Sequence, residues 1–206
     1  MNQTLYLASS SSIRQHILRE AEIPFTVIGQ TADEEQHLQP NIDDRVIAIA
    51  QAKLAHAQIP QGTVMGHVIF VLTADSMVCS NSGNIFGKPK NYEHAVNMLK
   101  ELRQDYCRVV TGFCLSRLKW DGQQWQQEKM VCQAVGAQVK LDISDQWIAT
   151  YLHKRPEALK SAGAFLVEGY GAQFIAAFEG SYTTVLGLPI YEVRKALEEL
   201  GFYCNK

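Results

Sequence analysis

Leu5-Tyr6-Leu7-Ala8-Ser9-Ser10-Ser11-Ser12-Ile13-Arg14 reads as a short buried strand that runs straight into the start of a helix. Leu5 to Ala8 is an apolar run suited to a strand. From Gln15 to Glu20, Ile17 and Leu18 fall on one side, as in the first turns of an amphipathic helix. Four serines and an arginine lie at the junction. A helix N-terminus leaves backbone N–H groups without partners and carries a partial positive charge, so hydroxyls and a guanidinium there form an anion receptor, a candidate phosphate site. The same serines are also favoured helix caps, and Ser11 or Ser12 could serve only in that way.

Outward from that junction the chain reads as one ordinary globular domain spanning residues 1–206, with 47% hydrophobic residues and a formal net charge of -2. A balance so near neutral gives no basic surface for nucleic acid. No run of about 18 apolar residues is present to span a membrane, and no basic region followed by a long apolar stretch marks a signal peptide. The expected compartment is the cytoplasm. Cys79, Cys107, Cys114, Cys132 and Cys204 are odd in number and form no C-x-x-C pair, so reduced thiols are expected rather than a disulfide framework or a thiolate zinc site. The histidines show no H-x-x-x-H spacing, so any metal should be a hard cation held by carboxylates and substrate phosphates.

Further along, Pro24 to Ile28 reads as a second strand, followed by a polar loop with Asp33, Glu34 and Glu35. Val46, Ile47, Ile49, Ala50, Leu54 and Ala57 recur with a helical period behind Asp43 and Asp44. His67 to Leu72 reads as a central strand ending at Thr73-Ala74-Asp75-Ser76, which puts Asp75 at a strand exit before a short run Met77 to Cys79. Asn81 to Asn84 is a turn, Gly87-Lys88-Pro89 breaks the chain again, and a helix is expected from Tyr92 to Leu102. Cys107 to Leu118 and Gln124 to Leu141 form a long antiparallel ribbon about Asp121-Gly122. A helix capped by Ser144, a strand from Gln173 to Phe178 and a last helix behind Pro189 complete the chain.

The polar groups with chemical potential are Ser9, Ser11, Arg14, Glu34, Lys53, Asp75, Lys88 and Glu168. Most fall at strand ends or adjoining loops, where ligands bind in open α/β sheets. Two carboxylates and three cations suit a magnesium-bound polyphosphate. Arg14, Lys53 and Lys88 would neutralise phosphate oxygens, while Glu34 and Asp75 would hold metal or activate water. Singly, each has a plainer alternative: a turn residue for Asp75, a solvated charge for Lys53, a simple turn for Gly87-Lys88-Pro89 and a solvated loop acid for Glu168.

In order, these pieces resemble the Maf family of nucleoside triphosphate pyrophosphatases. The resemblance runs through Leu7 to Arg14, Ala74-Asp75-Ser76, Gly87-Lys88-Pro89, Thr111-Gly112, Ala162-Gly163-Ala164-Phe165, Glu168-Gly169-Tyr170-Gly171 and Val185-Leu186-Gly187-Leu188-Pro189. It implies a mixed, twisted sheet with flanking helices around a deep central cleft, similar to inosine triphosphatase, and often a homodimer. It also implies cleavage of a nucleoside triphosphate between its α and β phosphates, with a divalent cation, magnesium or manganese. By position, Asp75 is the proton acceptor. Because the family has been linked to septum formation, a nucleotide-binding regulator with little turnover is the alternative. A dinucleotide-dependent oxidoreductase lacks its G-x-G-x-x-G after the first strand.

The chain also departs from the family's pattern. Ser11-Ser12-Ile13-Arg14 replaces Ser-Pro-Arg-Arg or Ser-Pro-Trp-Arg, and Thr73, Ser76 and Ser161 stand where glycine, Thr or Gln, and lysine are usual. Members resembling the thymidine and uridine triphosphate enzymes carry Arg, Thr and Gln at the positions of Ile13, Ser76 and Glu168. Those acting on 7-methylguanosine triphosphate carry an aromatic residue, Gln and Glu. Glu168 agrees with the second group, and a carboxylate offers two acceptors to the adjacent N–H donors of a guanine edge. The expectation therefore leans to guanine nucleotides.

Overall fold

A computed structural model describes residues 3–203 of the chain, apart from the side chain of Glu35. In chain order its elements are β1 (Thr4–Ala8), α1 (Ser12–Glu20), β2 (Thr26–Ile28), α2 (Ile42–Ala55), β3 (Val68–Cys79), β4 (Ile85–Phe86) and α3 (Tyr92–Leu102). They continue as β5 (Tyr106–Trp120), β6 (Trp125–Leu141), α4 (Asp145–Lys154), β7 (Ile175–Glu179), α5 (Tyr182–Leu186) and α6 (Ile190–Glu199). The strands make a seven-stranded mixed sheet in the order β2-β1-β3-β5-β6-β7, with β4 paired to β3. The expected α/β architecture of a mixed sheet with flanking helices is present.

The chain divides into two compact units, one of Met1–Asp75, Gly112–Ala134 and Gly187–Lys206, the other of Ser76–Thr111 and Val135–Leu186. In the first unit, β1 lies between β2 and β3 and is parallel to both, with Leu7 opposite Val27 and Leu72. A parallel strand flanked on both sides needs apolar residues on both faces. Leu5, Leu7 and Ala8 are accordingly buried. Ala8, Ile69, Val71 and Leu118 form a core on which Leu54 of α2 packs. Asn41 caps α2 by accepting from the backbone of Asp43 and Asp44, so the expected helix begins where its acidic first turn indicates. Gly112 permits the approach of α2 to β5: a Cβ there would stand 2.7 Å from the Val46 backbone.

In the second unit, β4 pairs antiparallel with the end of β3 and β7 pairs antiparallel with the end of β6. The helices α3 and α4 enclose Ala95, Met98, Leu99, Ile148, Tyr151 and Leu152, with Phe174 against them. Tyr151 stacks on Phe165, and its hydroxyl accepts from the Leu166 backbone at 2.8 Å. Burial moves that phenol's pKa up to about 12. Short 3-10 turns fill much of the segment between α4 and β7.

Two expectations are corrected. The central strand does not end at Thr73, because β3 runs unbroken from Val68 to Cys79 and carries Asp75 within it. Its polar side chains have partners that a bare sequence does not display: Thr73 Oγ1 donates to the Ala50 carbonyl at 2.7 Å, and Asp75 meets Lys53. The thiols are not all reduced, since Cys114 on β5 and Cys132 on β6 form a disulfide with their Cα atoms 4.2 Å apart. Facing positions of a ribbon bring two distant cysteines together regardless of an odd total. Cys79 and Cys107 remain thiols, and Cys204 lies outside the described residues. The helix α5 was not foreseen.

Among the described residues, no helix is long and apolar enough to cross a membrane.

Candidate active site

The turn after β1 holds Ser9 nearly buried, at 7% exposure, with Arg14 one turn into α1. Ser9 Oγ accepts twice, from the Ser11 backbone N–H and from Arg14 Nη1, both at 3.3 Å. A hydroxyl has two acceptor lone pairs and one proton. With both lone pairs engaged, the proton of Ser9 is left to donate. Arg14 Nε donates to the Gly187 carbonyl at 2.8 Å, which fixes the guanidinium from a second direction. Burial lowers the Arg14 pKa, opposed by the fields of Asp75 and Glu34. An arginine keeps its charge under such a shift. Ser11 occupies the N-cap of α1 and accepts from the Arg14 backbone at 3.5 Å, so it is a helix cap, as one of its two sequence readings held.

Lys53 is the centre of charge in this unit. It projects from α2 to place Nζ 2.7 Å from Asp75 Oδ1 and 3.0 Å from Glu34 Oε1. Its side chain is 6% exposed, against 10% for Asp75 and 33% for Glu34. Lys53 is therefore no solvated helix charge, and Asp75 no turn residue. A buried ammonium needs compensating carboxylates, and two converge on it from a strand and a loop. Among the described residues, no hydrogen bond engages Asp75 Oδ2. Thr73, where the family pattern has glycine, ties β3 to α2 beside this group through its bond to Ala50.

The structure thus gathers Ser9, Arg14, Glu34, Lys53 and Asp75 in the first unit, with Ile13 half-buried in the first turn of α1. Ser76, Lys88 and Glu168 belong to the second. There, Lys88 is exposed in the bend before α3, and the Gly87 carbonyl accepts from the Gly163 N–H at 3.0 Å. Two of the short motifs therefore meet through the backbone. Glu168 is half-buried, with its own carbonyl held by Arg155 Nη1 at 3.1 Å, while Arg155 also pairs with Glu157. Among the described residues, no donor reaches the Glu168 carboxylate. Its charge raises the pKa of the Tyr182 phenol, an effect second to burial. Ser76 Oγ lies 2.9 Å from Thr111 Oγ1.

Sequence reasoning did not single out Arg155 or Thr73 as supports of this chemistry, and it read Thr111 only as part of a matching dipeptide. No local signal marks Arg155. Thr111 and Gly112 were at least visible as a pair, and each now has a separate physical role.

In the first unit of this α/β protein, the Ser9–Arg14 turn thus lies within the field of the two carboxylates that meet on one buried ammonium. The family described as Maf-like protein matches residues 4–200, and the chain belongs to that family. Among its relatives, dTTP/UTP pyrophosphatases match over almost their whole length. That of Fusobacterium nucleatum is 33% identical, covering 96% of each chain. That of a Geobacter species (strain M21) is 34% identical, covering 99% of each. That of Escherichia coli K12 is 31% identical, covering 96% of this chain and 93% of its own. A solved structure of the Staphylococcus aureus Ham1 protein aligns over 95% of this chain and 98% of its own, at a TM-score of 0.41 and 13% identity, too slight a likeness to bear on the argument.

Proposed function

We propose that this chain, a nucleoside triphosphate pyrophosphatase, uses Asp75 to accept a proton from the attacking water and uses Glu168 to favour guanine nucleotides. The observation that supports the first part is the Lys53 ion cluster. Lys53 holds Asp75 through Oδ1, which leaves Oδ2 to accept from a water. Attack of that water on the α phosphorus breaks its bond to the bridging oxygen, releasing pyrophosphate and leaving the monophosphate. The water's proton passes to Asp75. Ser9 and Arg14 donate to phosphate oxygens, and Ser11 keeps the helix terminus that presents them.

The implied divalent cation, magnesium or manganese, suits the donor set. Glu34 and Asp75 are hard oxygen ligands that already share one cationic partner, Lys53. Among the described residues no cluster of three His, Cys, Asp or Glu side chains stands ready for a metal. Magnesium commonly takes one or two carboxylates and draws its other ligands from phosphates and water, and Glu34 and Asp75 are two such carboxylates. When bound, it would neutralise charge on phosphate oxygens.

Glu168 supports the base preference because its half-buried carboxylate has no donor among the described residues, so adjacent guanine N–H groups would satisfy it. The names of the relatives favour a second reading, with thymine and uracil nucleotides as substrates. Pyrophosphate release from GTP, 7-methyl-GTP, UTP and dTTP, repeated with Glu168→Gln, separates the two. The guanine reading expects the wild type to prefer the guanine nucleotides, and the variant to move toward UTP and dTTP by about 5- to 150-fold. A profile that does not move with Glu168→Gln refutes it.

A further inference from the structure

The ribbon's disulfide stands against the helix that carries Lys53. Cys114 on β5 and Cys132 on β6 belong to the first unit, together with α2 and with β3 as far as Asp75. Three contacts join this part of the ribbon to α2. Gln51 Nε2 donates to Cys132 Sγ at 3.8 Å. Thr73 Oγ1 donates to the Ala50 carbonyl at 2.7 Å and lies 3.5 Å from the Cys114 carbonyl, so α2, β3 and β5 meet at one buried hydroxyl. Gly112, two residues before Cys114 and therefore on the same face of β5, lies under Val46, where a Cβ would stand 2.7 Å from the helix backbone.

Val46, Ala50 and Lys53 recur at helical spacing, so they lie along one face of α2. That face meets in turn Gly112, the Thr73 hydroxyl beside Cys114, and Asp75. The disulfide thus stands at the middle of the contact that brings Lys53 Nζ within 2.7 Å of Asp75 Oδ1.

The two sulfurs differ in access. Cys114 is fully buried, whereas Cys132 is half-buried. A thiolate from solvent therefore attacks Cys132 Sγ, with Cys114 as the leaving group. Attack by an external dithiol breaks the bond between the two cysteines, joins the reagent to Cys132 and releases Cys114 as a thiolate that takes up a proton. The reagent's second thiolate then displaces Cys132, which is protonated in turn. The pair gains two electrons and two protons, and the dithiol leaves as its own disulfide.

We propose that this disulfide is a redox switch for the site: opened by a dithiol, it frees β5 and β6 to adjust beneath α2 and lets Lys53 withdraw from Asp75, and a low-molecular-weight disulfide closes it again. The switch rests on the reading that Asp75 carries the turnover.

The test compares oxidised wild type, wild type reduced with dithiothreitol, Cys132→Ser and Cys79→Ser. Alkylation after unfolding should count two more thiols in the reduced wild type than in the oxidised one. With magnesium and the best nucleotide, kcat for pyrophosphate release should fall by about 10- to 100-fold on reduction, the usual result of moving a catalytic group by up to about 1 Å. Oxidised glutathione should restore it. Amide hydrogen exchange in Ile42–Ala55 should quicken on reduction while the circular dichroism spectrum stays the same. Cys132→Ser should match the reduced wild type and ignore dithiothreitol. Cys79→Ser should keep the full response, because Cys79 is already a thiol. The proposal is overturned by a reduced protein that gains no thiols or that unfolds, by kcat and α2 exchange that keep their oxidised values once the bond is open, or by a response that persists in Cys132→Ser. Should Cys132→Ser fail to fold, the reduced wild type decides alone. If no nucleotide yields pyrophosphate in either state, the reading of the site fails, and hydrogen exchange in α2 still decides the switch.

Discussion

Replacing Lys53 by methionine should destabilise the protein by about 3 kcal/mol at pH 7. Methionine keeps the unbranched apolar stem, so the change removes charge with little change in packing. The ammonium stands 2.7 Å from Asp75 Oδ1 and 3.0 Å from Glu34 Oε1, with the lysine side chain only 6% exposed. Breaking a buried pair from one side typically costs about 3–5 kcal/mol, because the other charge is left uncompensated. Two features place the value at the low end. Glu34 is a third exposed, so water screens its share. Arg14 also remains within the field of both carboxylates and takes up part of the lost compensation. Urea denaturation followed by circular dichroism would measure the loss, with equal m-values confirming that the same transition is compared. The double variant Lys53→Met/Asp75→Asn removes one uncompensated charge and should recover about half the loss. A Lys53→Met protein within about 0.5 kcal/mol of wild type, or a double variant less stable than the single, would refute the buried cluster.

Two further predictions concern the scaffold. Gly112→Ala would push a Cβ to 2.7 Å from the Val46 backbone carbon and 2.8 Å from its carbonyl oxygen, so α2 must shift, at about 1–3 kcal/mol; an unchanged melting temperature would contradict the close approach. Glu101→Gln addresses pH: Asn84, Ser82 and Ser80 donate to Glu101 Oε1 at 2.7, 2.8 and 2.7 Å and hold its carboxyl below the usual carboxylate pKa, the Asn84 bond most strongly. A depressed pKa contributes stability above the unfolded value of about 4.3, and that stability fades as pH falls through the folded value. Glu101→Gln should therefore cost about 1 kcal/mol at pH 7, with the difference closing as the pH falls below the unfolded value of about 4.3. A difference that stays constant with pH would show that the carboxylate contributes nothing as an ion.

How much of this was legible depended on the range of the interaction. The first turn of α2, with Asn41 capping Asp43 and Asp44, and the β5–β6 ribbon about Asp121-Gly122 are local arrangements, and both stood in the sequence. The continuity of β3 was not legible. Thr73, Asp75 and Ser76 look like an exit because their partners Ala50, Lys53 and Thr111 are 23, 22 and 35 residues away. The burial of Lys53 was hidden for the same reason. The Cys114–Cys132 disulfide was within reach, since the two residues lie at roughly equal distances from the ribbon's turn. Counting cysteines by parity concealed it. The motif order placed Ser9, Arg14 and Asp75 on the short list, yet only the fold shows that Ser9 Oγ accepts from both Ser11 and Arg14 and that Ser76 lies against Thr111.

The central claim is that Asp75 accepts the proton of the attacking water. Asparagine at that position keeps the shape and can still accept from Lys53 through its amide oxygen, so Asp75→Asn should remain folded, with a wild-type circular dichroism spectrum. Pyrophosphate release from its best nucleotide, with magnesium or manganese present, should fall by about 10²- to 10⁴-fold, the usual contribution of a positioned proton acceptor. Turnover by a folded Asp75→Asn protein at the wild-type rate would contradict the account and remove Asp75 from the chemistry.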